Sequence, residues 1–315
     1  MNYLGIDLGG SKIAAGAVNE SGRILAKVSR PSGIPCAPEE LCRSMAQAAL
    51  ECLEQAGLSR DGIAFAGIGC PGSISRETGV VEYSPNLFLN DFPMAEQMER
   101  LLEKPVRIEN DAKAAAYGEY RAGALRGFRN AACVTLGTGI GCGILIGGTI
   151  YGGVNGAAGE IGHTVIERGG RKCHCGRRGC WERYASATGL ILTTREMMEQ
   201  DPSSAIWSLV DGDPDRVTGK TAFDAMRMGD PTAKKIVERY VSDLSCGITN
   251  LINTFQPDAV CIGGGISNEG ETLLAPVREL TAREQFGTGT APKTKILRAG
   301  LGNDAGIIGA ALLGC

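Results

Sequence analysis

The sequence predicts an α/β protein built as two lobes around a shared cleft. Three observations carry this. Short apolar strands alternate with segments of helical period along the chain. A strand, a small-residue turn and a second strand occur near the start and again in mid-chain, with Leu8-Gly9-Gly10-Ser11 aligning on Leu136-Gly137-Thr138-Gly139. The 315 residues, room for roughly two domains of ~150 residues each, include 46 glycines that cluster at turns and follow no period. The alternative to an internal repeat is a pair of unrelated hairpins.

The elements follow in order. Residues 3–7 read as a strand, Gly9-Gly10-Ser11 as a turn and residues 12–18 as a second strand; Ser21-Gly22 turns into a third at 23–28. Pro38–Gln55 is a helix, because Leu41, Met45, Ala49 and Leu53 recur at helical spacing and Gly57 stops it. Residues 63–69 form an apolar strand that ends in the turn signal Cys70-Pro71-Gly72. A short strand at 106–108 runs into Asn110-Asp111, and an alanine-rich helix follows at 112–120. The lobe boundary is expected in the Arg, Gly and Ala stretch between 120 and 130, which places a smaller lobe at residues 1–120 and a larger one at 121–302.

The pattern then restarts with strands at Ala131–Leu136 and Ile140–Ile146 around Gly137-Thr138-Gly139. Pro231–Phe255 is a long core helix, with Ile236, Tyr240, Leu244, Ile248 and Leu251 in one apolar stripe. Residues 258–262 form a buried strand ending in Gly263-Gly264-Gly265, and residues 303–313 close the chain as a helix with Asn303 as its cap.

The net charge of -3 gives no global pull toward nucleic acid or an anionic membrane, and neither is expected as a partner. No apolar run reaches the ~18 residues that a membrane span needs. The first ten residues do not read as a secretory signal. Of the 12 cysteines, Cys133, Cys142 and Cys261 sit singly in apolar stretches and read as small buried hydrophobes. A reducing cytoplasm is the expected compartment.

One cysteine cluster differs. Cys173-His174-Cys175-Gly176-Arg177-Arg178-Gly179-Cys180 places three thiols within eight positions, with two glycines that let the loop fold back. Three thiolates and one more nitrogen or sulfur ligand suit tetrahedral zinc. The chain has two histidines. His174 lies between two ligands, where its side chain points away, so His163 is the expected fourth. Four protein ligands close the site, making the metal structural; the alternatives are free thiols or a disulfide.

The glycine turns offer a second chemistry. Around Asp7, Gly9, Gly10, Ser11 and Lys12, small residues let backbone N–H groups approach phosphate oxygens, and Asp7 is placed to hold Mg²⁺ through water. Gly137, Thr138 and Gly139 repeat the device, and Gly263, Gly264 and Gly265 offer flat backbone to a nucleoside. None is a Walker A loop or a Rossmann fingerprint, since a strand follows where a helix should start. Each alone also reads as a tight hairpin; the three in order favour phosphate binding. Asp111, where a strand meets a helix, reads either as a helix cap or as the base that accepts a proton from an attacking hydroxyl.

Taken in order, Asp7-Leu8-Gly9-Gly10-Ser11-Lys12, Glu109-Asn110-Asp111, Leu136-Gly137-Thr138-Gly139-Ile140-Gly141, Gly159-Glu160-Ile161-Gly162-His163 and the segment from Cys173 to Glu182 resemble the ROK family (repressors, open reading frames and kinases), in particular its bacterial glucokinase branch. The resemblance covers essentially the whole chain, and the zinc segment is its most specific part. It implies an actin-like, ribonuclease H-like ATPase fold of two lobes, with ATP and a sugar in the cleft between them. It also implies that the last segment, residues 303–315, packs back on the first lobe. By matching motif, Asp111 is the general base, and Asn110, Glu160, His163 and Glu182 hydrogen-bond the other sugar hydroxyls. Gly72 and Asn86 are further candidates for the sugar pocket.

Two departures stand out. Ser11 replaces the usual threonine and keeps the hydroxyl. Lys113 stands where asparagine is commoner; its charge is expected to face solvent, the alternative being an effect on substrate preference.

The implied activity is transfer of the γ-phosphoryl group of Mg-ATP to the 6-hydroxyl of glucose, in a homodimer or homotetramer carrying structural zinc. N-acetylmannosamine, N-acetylglucosamine or fructose could replace glucose, and polyphosphate could replace ATP. A sugar-responsive repressor is the reading from another class. It is disfavoured because no helix-turn-helix segment precedes Tyr3-Leu4-Gly5-Ile6-Asp7.

Overall fold

The computed structural model describes residues 1–287, 289 and 293–314. Its first sheet starts as a hairpin. β1 (Asn2–Leu8) and β2 (Lys12–Asn19) run antiparallel with Leu8 opposite Ile13, so Gly9 to Lys12 make the turn. β3 (Ile24–Pro31) continues outward, and β4 (Ala66–Cys70) and β8 (Val106–Asn110) add in parallel on the other side, giving the order β3-β2-β1-β4-β8. Helix α1 (Pro38–Gln55) connects β3 to β4, with Pro38 in its first turn and Glu39 and Glu40 favourably placed at its N-terminus. Between β4 and β8 lie a separate antiparallel sheet of β5 (Ser73–Ser75), β6 (Val80–Ser84) and β7 (Leu89–Phe92), and then helix α2 (Met94–Leu102). Helix α3 (Asp111–Ala122) leaves β8 directly.

The two-residue period of β1 sorts its side chains onto two faces. Leu4, Ile6 and Leu8 pack with Leu41, Met45 and Ala49 of α1. Tyr3 belongs to a second cluster with Phe65, Ile307, Ile308 and Ala311. Those last three residues lie on α10 (Ala305–Leu312), every residue of which is buried. Glycines let α10 sit backbone to backbone on its neighbours. A Cβ at Gly67 would overlap the Ala310 carbonyl, and one at Gly309 would overlap the Ala114 carbonyl. Buried Glu119 of α3 fixes the approach to α10, accepting from Ala124 N at 2.7 Å, Gly300 N at 2.9 Å and Leu301 N at 2.8 Å. Asn303 does not cap this helix. It lies inside a 3₁₀ turn (Gly302–Asp304), and Asp304 takes the cap position without a side-chain hydrogen bond. Cys315, the end of the expected 303–315 segment, falls outside the described residues.

The second five-stranded sheet repeats the order of the first. β9 (Ala131–Leu136), β10 (Ile140–Ile146), β11 (Thr149–Ile150), β12 (Ala259–Gly263) and β13 (Lys295–Arg298) lie as β11-β10-β9-β12-β13, with β12 and β13 parallel. Helices α4 (Glu182–Ala185), α5 (Ala187–Met198), α6 (Ile206–Leu209), α7 (Thr221–Arg227) and α8 (Pro231–Phe255) fill the stretch between β11 and β12, and α9 (Glu271–Glu284) precedes β13. Asp230 caps α8 by accepting from Ala233 N at 2.6 Å, and the helix buries the apolar stripe seen in its sequence.

The chain divides into two units: residues 1–133 with 143–159 and 299–315, and residues 134–142 with 160–298. Among the described residues no disulfide forms, and Cys133, Cys142 and Cys261 are buried. No helix among them is long and apolar enough to cross a membrane.

Candidate active site and metal centre

In the first unit the site grows from the β8–α3 junction. Asn110 takes extended dihedrals, so the chain turns into a helix at Asp111. The Asn110 Oδ1 accepts from Ala112 N at 3.0 Å and Lys113 N at 3.2 Å, and its Nδ2 donates to the Gly72 carbonyl at 3.2 Å. The cap is therefore Asn110, not Asp111, and the capping alternative for Asp111 is withdrawn. Asp111 is the first helical residue, half-buried, with its Oδ1 accepting from Ala112 N at 2.8 Å. A carboxylate there faces the positive end of the helix. Gly72 has φ +114, and a Cβ on it would overlap the Tyr83 carbonyl, so only glycine lets Asn110 reach its backbone.

Lys113 corrects a second expectation. It does not face solvent: it is 2 % exposed, and its Nζ donates to the Gly156 carbonyl. One residue before the cap, Glu109 is also buried; it pairs with Arg76 and accepts from Asn110 N at 2.8 Å.

Asp7, near the end of β1, lies against the start of α10, where a Cβ on Gly306 would fall 2.7 Å from its Cγ. Burial, and then the Asp111 charge, raise its carboxyl from 3.8 to about 6, against the pull of Lys12. The turn beyond it is tied from behind. Gly9 N donates to the Lys12 carbonyl at 2.8 Å, and Ser32 donates from N to the Ser11 carbonyl at 3.1 Å and from Oγ to the Gly10 carbonyl at 2.7 Å. Gly10, Ser11 and Lys12 stay exposed. A Cβ on Gly10 would lie 3.8 Å from the Asn86 carbonyl, so this turn and the exposed Asn86 are neighbours.

In the second unit the other glycine turns meet each other. Gly137 N donates to the Gly139 carbonyl at 3.0 Å, and the Gly137 carbonyl accepts from Ala187 N at the start of α5 at 2.9 Å. Thr138 is exposed at the tip. Gly263 ends β12, and Gly264, at φ +86, lies against Leu136, where a Cβ would overlap the carbonyl. Gly265 faces open space. A Cβ on Gly139 would fall 2.6 Å from Glu182 Oε2, which brings this turn to the cysteine segment.

That segment folds as the thiol spacing requires. Cys173 N donates to the Arg177 carbonyl at 2.9 Å, and Arg177 Nη1 donates to the His163 carbonyl at 3.0 Å. His163 Nδ1 and the Sγ atoms of Cys173, Cys175 and Cys180 all lie within 4.8 Å of one another, with Cys173 Sγ to His163 Nδ1 and Cys175 Sγ to Cys180 Sγ both 3.6 Å. A tetrahedron with metal–sulfur bonds of ~2.3 Å has edges of about 3.8 Å, so the donor set and its spacing fit zinc. His174 is exposed and outside the group. Cys173 Sγ donates to Glu182 Oε1 at 3.0 Å, and that oxygen is 3.6 Å from His163 Nδ1. Burial first, and then the Glu182 carboxylate and the Cys175 thiol, push the Cys173 thiol up to about 12, against the pull of the Cys175 N–H. A bound metal cation would reverse that balance and favour the thiolate. The other imidazole nitrogen, Nε2, lies 3.9 Å from Glu160 Oε2.

Sequence reasoning missed the anchors of these groups. Trp181 is fully buried and donates from Nε1 to the Asp243 carbonyl at 2.8 Å, which locks the segment to α8 between Cys180 and Glu182. Its size beside two site residues was the available signal. Lys113 and Arg76 gave none.

A family model described as the ROK family matches residues 3–314. The chain belongs to the ROK family. Among its ROK relatives, the glucokinase of Streptomyces coelicolor is 38% identical over 98% of this chain and 96% of that protein, and that of Thermotoga maritima is 38% identical over 99% and 96%. A ROK glucokinase from Streptomyces griseus, solved in complex with glucose and AMPPNP, superposes with a TM-score of 0.84 at 37% identity, covering 99% of this chain and 98% of that one. The fold is thus the actin-like ATPase α/β fold of the ROK glucokinases. The family also includes regulators: a xylose repressor of Caldicellulosiruptor bescii is 30% identical over 90% of this chain and 71% of its own length.

Proposed function

We propose that this chain is an ATP-dependent glucokinase that phosphorylates the 6-hydroxyl of glucose. The observation that carries the reading is the Asp111 carboxylate, held at the first position of α3 by the Asn110 cap, in a chain that matches glucokinases along nearly its whole length.

In this reading Asp111 accepts the proton of the 6-hydroxyl as its oxygen attacks the γ-phosphorus. The bond to the β–γ bridging oxygen breaks, and ADP leaves. Asn110, Glu160, His163 and Glu182 hydrogen-bond the remaining hydroxyls, with Gly72 and Asn86 shaping the pocket. The turns at Gly9–Lys12 and Gly137–Gly139 present N–H groups to phosphate oxygens, and Gly263 to Gly265 give the nucleoside a flat surface. Magnesium, when bound with ATP, neutralises phosphate charge. Asp7 suits that cation through water, because a nearby dication would hold its carboxylate ionised.

The zinc centre is structural in this reading. His163 turns Nδ1 toward the sulfurs, which leaves Nε2 on the Glu160 side, free to meet a sugar hydroxyl. A homodimer or homotetramer in the cytoplasm completes the proposal, consistent with the free thiols. An ADP-release assay with Mg-ATP over glucose, fructose, N-acetylglucosamine and N-acetylmannosamine tests it. Glucose should give the highest kcat/KM, and an absence of sugar-dependent ADP release would overturn the reading.

A further inference from the structure

We propose that Lys113 is a positioning residue for sugar binding: its buried ammonium clamps the middle of the loop at residues 151–159, which leads directly into Glu160. The proposal rests on the reading of Glu160 as a sugar ligand.

The loop starts where Tyr151 N donates to the Ile144 carbonyl at 2.7 Å. Among the described residues, no side chain from 151 to 160 is buried, and Val154 is fully exposed. Its internal bonds are short-range, Ala158 N to the Gly152 carbonyl at 3.0 Å and Ala157 N to Asn155 Oδ1 at 3.2 Å. Segments with few buried apolar contacts open locally at low cost. The middle is pinned differently. Gly156, at φ +76, lies flat on β5, where a Cβ would overlap the Ile74 carbonyl, and its own carbonyl accepts from Lys113 Nζ.

The lysine end of the clamp is rigid. Lys113 lies in the first turn of α3, with its N–H on the Asn110 cap. β10 closes over it, since a Cβ on Gly143 would fall 2.9 Å from its Cα. Two positions along a helix is about 200° of rotation, so Lys113 points away from the direction of Asp111. It therefore acts through the loop, not on the reacting hydroxyl. A buried ammonium costs free energy unless its donors are used, and a charge-assisted bond to a carbonyl is stronger than a neutral one. Methionine keeps the length and the apolar stem but loses the clamp.

Lys113→Met should therefore raise the glucose KM by about ten-fold or more, while the ATP KM stays within about two-fold. Hydrogen exchange followed by mass spectrometry on the sugar-free protein should show faster exchange across 151–160 than in wild type. Lys113→Arg, which keeps a donor, should recover part of the KM. If the methionine variant does not fold, Lys113→Gln is held to the same split. An unchanged glucose KM in a folded variant would overturn the proposal, as would a loss confined to kcat or to the active fraction. Glu160→Gln, measured alongside, separates the two ideas. Weakened glucose binding in that variant together with a neutral Lys113→Met defeats the clamp alone. Normal glucose binding in Glu160→Gln defeats the Glu160 reading and the clamp with it.

Discussion

The indole of Trp181 lies so closely on Gly247 of α8 that a Cβ at position 247 would overlap the ring. Trp181 stands between Cys180, one of the four candidate metal ligands, and Glu182, whose carboxylate reaches Cys173. One buried ring on one glycine thus sets where two candidate site residues emerge from the core.

Gly247→Ala should push the indole off the helix. Overpacking a well-filled core costs roughly 1–3 kcal/mol. Urea unfolding should show a loss of that order, with weaker glucose binding by the fraction that stays folded. A variant as stable as wild type would mean that the ring has room to move.

The metal centre should be load and lever at once. Elemental analysis of protein purified without chelator should find about one zinc per chain. Cys175→Ser removes the exposed sulfur of the set and should lower both the melting temperature and the glucose affinity. Unchanged glucose affinity in the folded variant would reduce the metal to a staple.

Asp7 predicts a pH dependence. Its carboxyl titrates at about 6 in the fold against 3.8 ordinarily, so the folded state binds the proton more tightly than the unfolded one. Stability from this group is therefore greatest below about 4, falls as pH rises through the window, and is fully lost above about 6. Asp7→Asn cannot ionise and should escape that fall, gaining up to about 3 kcal/mol relative to wild type between pH 4 and pH 7. Urea unfolding in magnesium-free buffer at both values measures this. An equal difference at the two pH values would show that Asp7 is not strained by its surroundings.

Much of this was legible in the residues, for identifiable reasons. Pro38–Gln55 and Pro231–Phe255 carry both a helical apolar stripe and end signals, and their bounds emerge as read. The cysteine spacing left few ways to fold, so the donor set converges. The sheet of β5, β6 and β7 was not read, because its strands are three to five residues long and half polar. Lys113 misled because a charged residue among alanines normally marks the solvent face, whereas here its ammonium donates to a carbonyl of the 151–159 loop. Asn110 and Asp111 both cap helices well; the extended backbone of Asn110, whose Oδ1 accepts from Ala112 N and Lys113 N, decides between them. Nothing local marks Gly309; the need for glycine there comes from α3, distant in sequence, whose Ala114 carbonyl a Cβ would overlap.

The role of Asp111 as the base of a glucose-phosphorylating enzyme can be tested directly. Its most direct test is ADP release from Mg-ATP, with and without glucose, for zinc-loaded wild type and Asp111→Ala. Glucose-dependent turnover is expected in wild type, with a kcat lower by about 10²–10⁴-fold in the variant and an unchanged melting temperature. Near-normal turnover in a folded Asp111→Ala would contradict that role.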